Sequence, residues 1–327
     1  MTDTIHSGLA SQLMISQEVT YGTWVAPARS LEMVSESMKT TIERIESKGL
    51  RAGRRIVGKW LPGKTSSAGD IDLEVNGIGF GMVLAQIFGT DAITGPTDTV
   101  AYTHTLSPTD LPPGFSMQIG KPSIDGTVNP FNYTGCRVNT AELSLKTGEL
   151  LGLKLGVVGQ AETYAATHAL LAYTDPSIYL MSFVGASVTC GGVAVALTDF
   201  NFKVDNKLDA TRFRIASQAT IKQPLENSWR EYTGTLAADF ESMTQYNHFV
   251  NGDELSVVAS FVGALIPGAA TTHYSLTLTA NCRYDGETPV VSGPGLVPLT
   301  LPVKVSASGS TDAAAISLVY VTSDAAA

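Results

Sequence analysis

The sequence predicts a mainly β protein, a β-sandwich or barrel with a flanking helix, and three observations carry that prediction. Charged residues make up only 16% of the 327 while Gly occupies 31 positions, a balance found in sheet- and turn-rich chains and not in helical bundles or disordered segments. Apolar residues alternate with polar ones in many short runs bounded by Gly, Pro, Asn and Asp, the period of a half-buried strand. Helical spacing emerges in two short places, 79–88 and 243–250. The length is enough for two domains of ordinary size, each able to bury its own core.

Taken in order, residues 1–28 read as an N-terminal arm, with an irregular segment over 10–19 and a turn-rich Tyr21-Gly22-Thr23-Trp24 ahead of Pro27. A strand follows over 30–43 with Leu31, Met33 and Val34, running into a Gly-punctuated basic loop or long hairpin arm over 44–64. Residues 70–75 alternate acid and aliphatic, so Ile71, Leu73 and Val75 face inward and Asp70 and Asp72 share a solvated face. Phe80, Val83, Leu84, Ile87 and Phe88 then lie on one helical face, with Asn76 as N-cap and Gly89 as stop. Residues 91–98 read as a loop, 100–106 as a strand through Val100, Tyr102 and His104, 108–114 as a loop, and 115–119 as a strand. Alternation over 138–146, a turn at 146–149, and Leu151, Leu153, Leu155 and Val157 on one face make a β-hairpin.

An Ala-rich segment over 161–174 suits a linker or short helix, after which the same order returns. Phe200, Phe202 and Val204 form one strand and Phe213 and Ile215 another; a second punctuated loop covers 218–230; Leu236, Ala238 and Phe240 form a strand; Met243, Tyr246, Phe249 and Val250 form a helix closed by Asn251-Gly252. Strands over 255–262, 274–278, 299–305 and 316–321 complete the pattern. Strand, loop arm, strand, helix and strands thus occur twice, which reads as internal duplication. The expected division is an arm over 1–28, a first β domain over 29–160, a linker over 161–178, a second β domain over 179–289 and C-terminal strands over 290–327.

The net charge is −9, yet seven of the 21 Lys and Arg residues fall between Arg44 and Lys64. The body is therefore acidic and one small arm is basic, which excludes a broad nucleic-acid-binding face. Cys136, Cys190 and Cys282 are odd in number and far apart, neither a disulfide framework nor a zinc site. The N-terminus lacks a basic segment followed by an apolar core, and no apolar run reaches membrane-spanning length, so the expectation is a protein made in the cytosol with no membrane insertion.

Catalytic chemistry finds little support. His6, His104, His168, His248 and His273 never fall at metal-ligand spacing, and no nucleophile elbow is present. Neither metal nor cofactor is expected, and the chain is read as no enzyme. Residues 58–65 fit the phosphate-loop pattern G-x-x-x-x-G-K-[ST] letter for letter. They run into an alternating strand instead of a helix, and Pro62 lacks one of the N–H donors a phosphate cradle uses. Gly77-Ile78-Gly79-Phe80-Gly81 has G-x-G-x-G spacing in place of the dinucleotide fingerprint, and is read as a tight helix start.

Several motifs, in their order along the chain, carry a family resemblance: Tyr21-Gly22-Thr23-Trp24 with Pro27, Gly53-Arg54-Arg55, Tyr133-Thr134-Gly135-Cys136, Val204-Asp205-Asn206, Tyr232-Thr233-Gly234, and Arg283-Tyr284-Asp285-Gly286-Glu287-Thr288-Pro289. Together they resemble a tail tube (major tail) protein of a long-tailed bacteriophage. The resemblance implies a tail-tube-type β-sandwich, strands joined around an inner barrel, and stacked rings whose long loop reaches the neighbouring ring. It makes that loop the inter-ring interface, with Lys48, Arg51, Arg54, Arg55, Lys59, Trp60 and Lys64, and makes Lys222, Trp229 and Arg230 a second arm if the chain is duplicated. Partners implied are copies of the chain itself, as a pseudo-hexameric trimer or a hexamer, other tail proteins such as the tape measure and tail terminator, and genomic DNA passing without specific binding; the place implied is the virion. The chain is about twice as long as a single-domain tube subunit needs. The rival reading is a cell-surface or carbohydrate-binding β-sandwich displaying Trp24, Trp60 and Trp229.

Overall fold

Alternation decides most of this backbone, and the departures from it show where two faces are covered or neither is. The computed structural model describes residues 7–164, 167, 169, 179–215, 219–286, 288–308 and 311–325. Most of the expected linker, together with His6, His168, Gln218 and Glu287, lies outside the described residues. The chain is mainly β, with its strands in one large antiparallel sheet.

The first strand, β1 (Gln12–Gln17), replaces the irregular segment expected over 10–19. It buries Leu13, Met14, Ile15 and Ser16 in succession, so both faces are covered and no alternation marks it. The single strand expected over 30–43 is three: β2 (Arg29–Leu31), which pairs with β1, then β3 (Ser35–Glu36) and β4 (Lys39–Glu46), which pair with β5 (Trp60–Glu74). The chain passes from β3 to β4 over Gly69, where a Cβ would lie 2.6 Å from the backbone of Ser37 and Met38.

Helix α1 (Gly81–Phe88) buries all eight residues. Gly89 ends it as expected, its N–H donating to the Ala85 carbonyl at 2.8 Å. Asn76 is not its N-cap: Phe80 holds that position without a side-chain bond, and Asn76 Oδ1 instead accepts from the Tyr179 N–H. The glycines ahead of the helix serve close packing. A Cβ at Gly77 would meet the buried Tyr274 ring at 2.6 Å, and Gly79 adopts φ +91.

The loop expected over 91–98 is a strand, β6 (Asp91–Thr97), paired along one edge with β7 (Ala101–Leu106). Its side chains are nearly all exposed, so nothing imposed hydrophobic alternation on it. β7 buries Ala101, His104 and Leu106. Then come β8 (Phe115–Pro122), β9 (Val128–Lys146), β10 (Gly152–Gly159) and β11 (Ala161–Tyr164). The β9–β10 hairpin forms where expected, with Leu143 opposite Leu153 and Ala141 opposite Leu155. β9 is the hub: up to Cys136 it pairs with β8 and β11, and beyond it with β10 and β14. Gly135, at φ +61, marks the change of neighbours.

The second half supplies β12 (Ala186–Cys190), β13 (Val193–Ala194), β14 (Leu197–Asp205), β15 (Glu231–Asp239), α2 (Met243–Asn251), β16 (Glu254–Leu265), β17 (His273–Tyr284), β18 (Pro298–Val305), α3 (Asp312–Ala315) and β19 (Ile316–Thr322). Phe213 and Ile215 form no strand. β14 already has β9 on one edge and β15 on the other, so no edge is left for a return strand beside it. Ser242 and the left-handed Gly252 cap α2, which buries only Gln245, against eight residues in α1. β17 has β16 along one edge and shares the other between β19 and β18; β19 in turn pairs with β7. One apolar cluster, from Leu13 to Tyr320, draws on both halves.

Candidate assembly surface

The basic stretch is a hairpin that leaves the body. Arg44 stands opposite Pro62 and Glu46 opposite Trp60, and the Ser47 N–H donates to the Lys59 carbonyl at 2.9 Å. β10 accompanies β5 only as far as Ser67, and the last backbone hydrogen bond from β5 to the body among the described residues is the Thr65 N–H on the Ala219 carbonyl at 2.8 Å. At about 3.3 Å per residue, the five positions before Thr65 alone carry the arm roughly 16 Å outward. Nearly every side chain on it is exposed, including Ile45, Leu50, Ile56, Val57, Trp60 and Leu61. A two-stranded ribbon with both faces wet is marginal by itself, and so much uncovered apolar surface makes the arm a candidate contact site.

Lys48, Arg51, Arg54, Arg55 and Lys59 crowd the tip over 47–59, and none of the five makes an ion pair among the described residues. The Arg44 guanidinium covers the Trp60 ring at 4.6 Å, and Arg54 folds over Gly58. Lys64 sits apart from them at the arm's base, its Nζ 5.4 Å from the centre of the Phe213 ring. Residues 58–65 therefore run into β5, with no helix N-terminus and no convergent N–H groups to hold phosphate. Lys64→Ala is expected to leave nucleotide affinity unchanged; saturable ATP binding in titration calorimetry that vanishes with this substitution would refute the reading.

The loop over 219–230 is held against the body. Ile221 and Pro224 are buried, and the Pro224 carbonyl accepts from Arg137 Nη1 at 2.6 Å. Lys222 and Trp229 face solvent, Trp229 at 93% exposure. Arg230 turns inward: it donates to the carbonyls of Phe88 at 3.1 Å and Thr109 at 2.5 Å and pairs with Glu226. It thus closes the carbonyl end of α1, while Trp229 borders a recess of about 470 Å3 beside Thr109, Asp312 and Ile316.

Two buried charges that periodicity gives no hint of tie distant segments of the body together. Glu18, 1% exposed, accepts from the Gly22 N–H at 2.6 Å, the Ser116 hydroxyl at 2.9 Å and the Gly135 N–H at 2.8 Å. It thereby joins Tyr21-Gly22-Thr23-Trp24 to Tyr133-Thr134-Gly135-Cys136. A Cβ on Gly135 would lie 2.9 Å from the Tyr21 ring; the glycines of the two motifs, Gly22 and Gly135, were the available signal. Arg137 gathers the carbonyls of Leu111, Pro112 and Pro224. All three cysteines are free and buried, and burial pushes the Cys282 thiol up to about 12. Asp70 pairs with Lys154 at 3.0 Å and Asp72 accepts from the Ser35 hydroxyl at 2.6 Å, which is ordinary strand-face chemistry.

The fold and the arm define a class of protein: a mainly β chain that holds a hairpin out from its body. The chain belongs to the phage tail tube protein family, whose family model matches residues 8–305. A search of curated proteins finds no match. Among the described residues no helix is long and apolar enough to cross a membrane.

Proposed function

We propose that copies of this chain polymerise into stacked rings that form the phage tail tube, the conduit through which genomic DNA leaves the virion. The observation that carries the reading is the hairpin of β4 and β5, exposed on both faces and concentrating the basic charge of an otherwise acidic protein. Lys48, Arg51, Arg54, Arg55, Lys59 and Trp60 make the inter-ring contact, Lys64 braces its base, and Lys222 and Trp229 belong to a second contact that Arg230 supports from within. The outer edge of β6 is unpaired among the described residues, and a free edge suits joining side by side within a ring. An acidic body suits a conduit, because it offers passing DNA few phosphate contacts. Tape measure and tail terminator proteins are the expected companions.

The recurrence of strand then helix, β5 with α1 and β15 with α2, favours two tube domains per chain, over 29–160 and 179–289, and three chains per ring. Native mass spectrometry of isolated rings measures this: three copies agree, and six whole chains would remove the duplication. Charge reversal at Arg51, Arg54 and Arg55 to Glu tests the arm. The expected product is a folded subunit that sediments as a small species and shows no tubes by electron microscopy, because like charges would face an acidic neighbour; normal tubes would sink the assignment.

A further inference from the structure

We propose that the arm of one copy is received by a groove at the far end of the next copy's strands, between residues 145–147, 186–188 and 195–199. This rests on the reading that the arm joins rings. Identical subunits stacked head to tail make a heterologous contact, so what projects from one end must be received at the other.

Strand register identifies the ends. β5 leaves the arm at Trp60 and finishes at Glu74; Glu74 lies opposite Gly152, Gly152 opposite Ser144, and Ser144 opposite Asn201. One step further along, Lys146 faces Asp199, Leu150 bridges to Ser182, and the Phe183 N–H donates to the Glu149 carbonyl at 3.2 Å. This cluster therefore stands at the end away from the arm. The larger recess beside Trp229 does not qualify. It lies near Glu231, which is opposite Asp205, itself opposite Thr140, at the end of β9 and β10 that adjoins Ser67 and the arm.

The far-end groove has about 210 Å3 of free space and an apolar lining that includes Leu145, Phe183, Val188, Val195, Leu197 and Phe261. Leu150, Val184 and Val193 stand exposed around it, Val184 at 80%. There is room for an aliphatic side chain of the arm tip, where Leu50, Ile56 and Val57 stand exposed. Glu149 and Asp199 outnumber Lys146 at the rim, which suits the Arg-rich tip. The backbone offers a second feature. β12 is paired along one edge by β16, but along the other, among the described residues, only at Thr189 and Cys190, plus the Val195 N–H on the Val188 carbonyl at 3.0 Å. Ala186 and Ser187 keep a stretch of strand edge open to an incoming chain.

The test uses the full chain. Ile56→Cys combined with Val184→Cys is assembled and treated with diamide, which takes up the two hydrogens released as the thiols join; the native cysteines are buried. A ladder of covalent multimers on a non-reducing gel, absent from either single variant, is expected. Val184→Lys, at an exposed position, should keep the subunit's melting temperature and, by putting a cation against the Arg-rich tip, raise the concentration needed for tube formation at least tenfold. If the arm charge reversal abolishes tubes while Val184→Lys assembles normally and the double variant gives no ladder, the seat is wrong and the arm's role stands. If tubes form whatever the arm carries, both fall.

Discussion

Replacing Glu18 by alanine should lower the free energy of unfolding by about 3–5 kcal/mol, measured by urea denaturation. The carboxylate is buried, and the donors it satisfies, the N–H groups of Gly22 and Gly135 and the Ser116 hydroxyl, are held by three separate parts of the chain. Removing the acceptor strands all three without water to replace it, at roughly 1–3 kcal/mol for each buried group left unmade. Glu18→Gln keeps one accepting oxygen and should lose about half as much. A loss below about 1 kcal/mol in the alanine variant would mean that water fills the site and that the junction of the two motifs is not held by this group.

The second large effect is a pH dependence at the closure of the sheet. His104 is buried, with Nδ1 2.6 Å from the Asp91 carboxylate and Nε2 3.0 Å from the Asp324 carbonyl. The Asp324 carboxylate in turn accepts from the Gly79 N–H at 2.7 Å and from Arg29 at 3.1 Å. Burial pushes the imidazole down, but the bonds to Asp91 and Asp324 outweigh it, and the net shift is above the ordinary 6.5. A group raised in the folded state contributes fully below its unfolded pKa and loses its contribution as pH climbs through the folded one. The melting temperature should therefore fall as pH is taken upward from about 6.5. His104→Gln should flatten that slope, and Asp324→Ala should cost about 2–3 kcal/mol at pH 6. A slope unchanged in His104→Gln would assign it to other groups.

How much was legible follows from what each residue's face touches. The β9–β10 hairpin, β14, β15 and β17 were readable because one face of each is dry and the other wet, and α2 because Asn251 and Gly252 stop it. β1 hid because both its faces are covered, and β6 because neither is. The hairpin arm was legible as charge and glycine, and the groove at the far end of the strands was not: Phe183, Val195 and Leu197 come from separate segments and meet only through register. Arg230 looked like a surface cation in a basic loop, yet its partners are carbonyls of Phe88 and Thr109, more than a hundred positions upstream. No local pattern encodes that.

β7 has β6 on one side, and on the other β19, which binds it through residues such as Tyr320 opposite His104. The ties there span as many as 220 positions. A ribosome that has delivered the arm, α1 and β7 has therefore delivered a sheet with a gap, and the gap stays open until residues 316–322 emerge. Long-range pairing of this kind is slow to form. Synthesis itself thus acts as a clock: the arm is complete early, but β7 gains its second neighbour only when the last strand has left the ribosome.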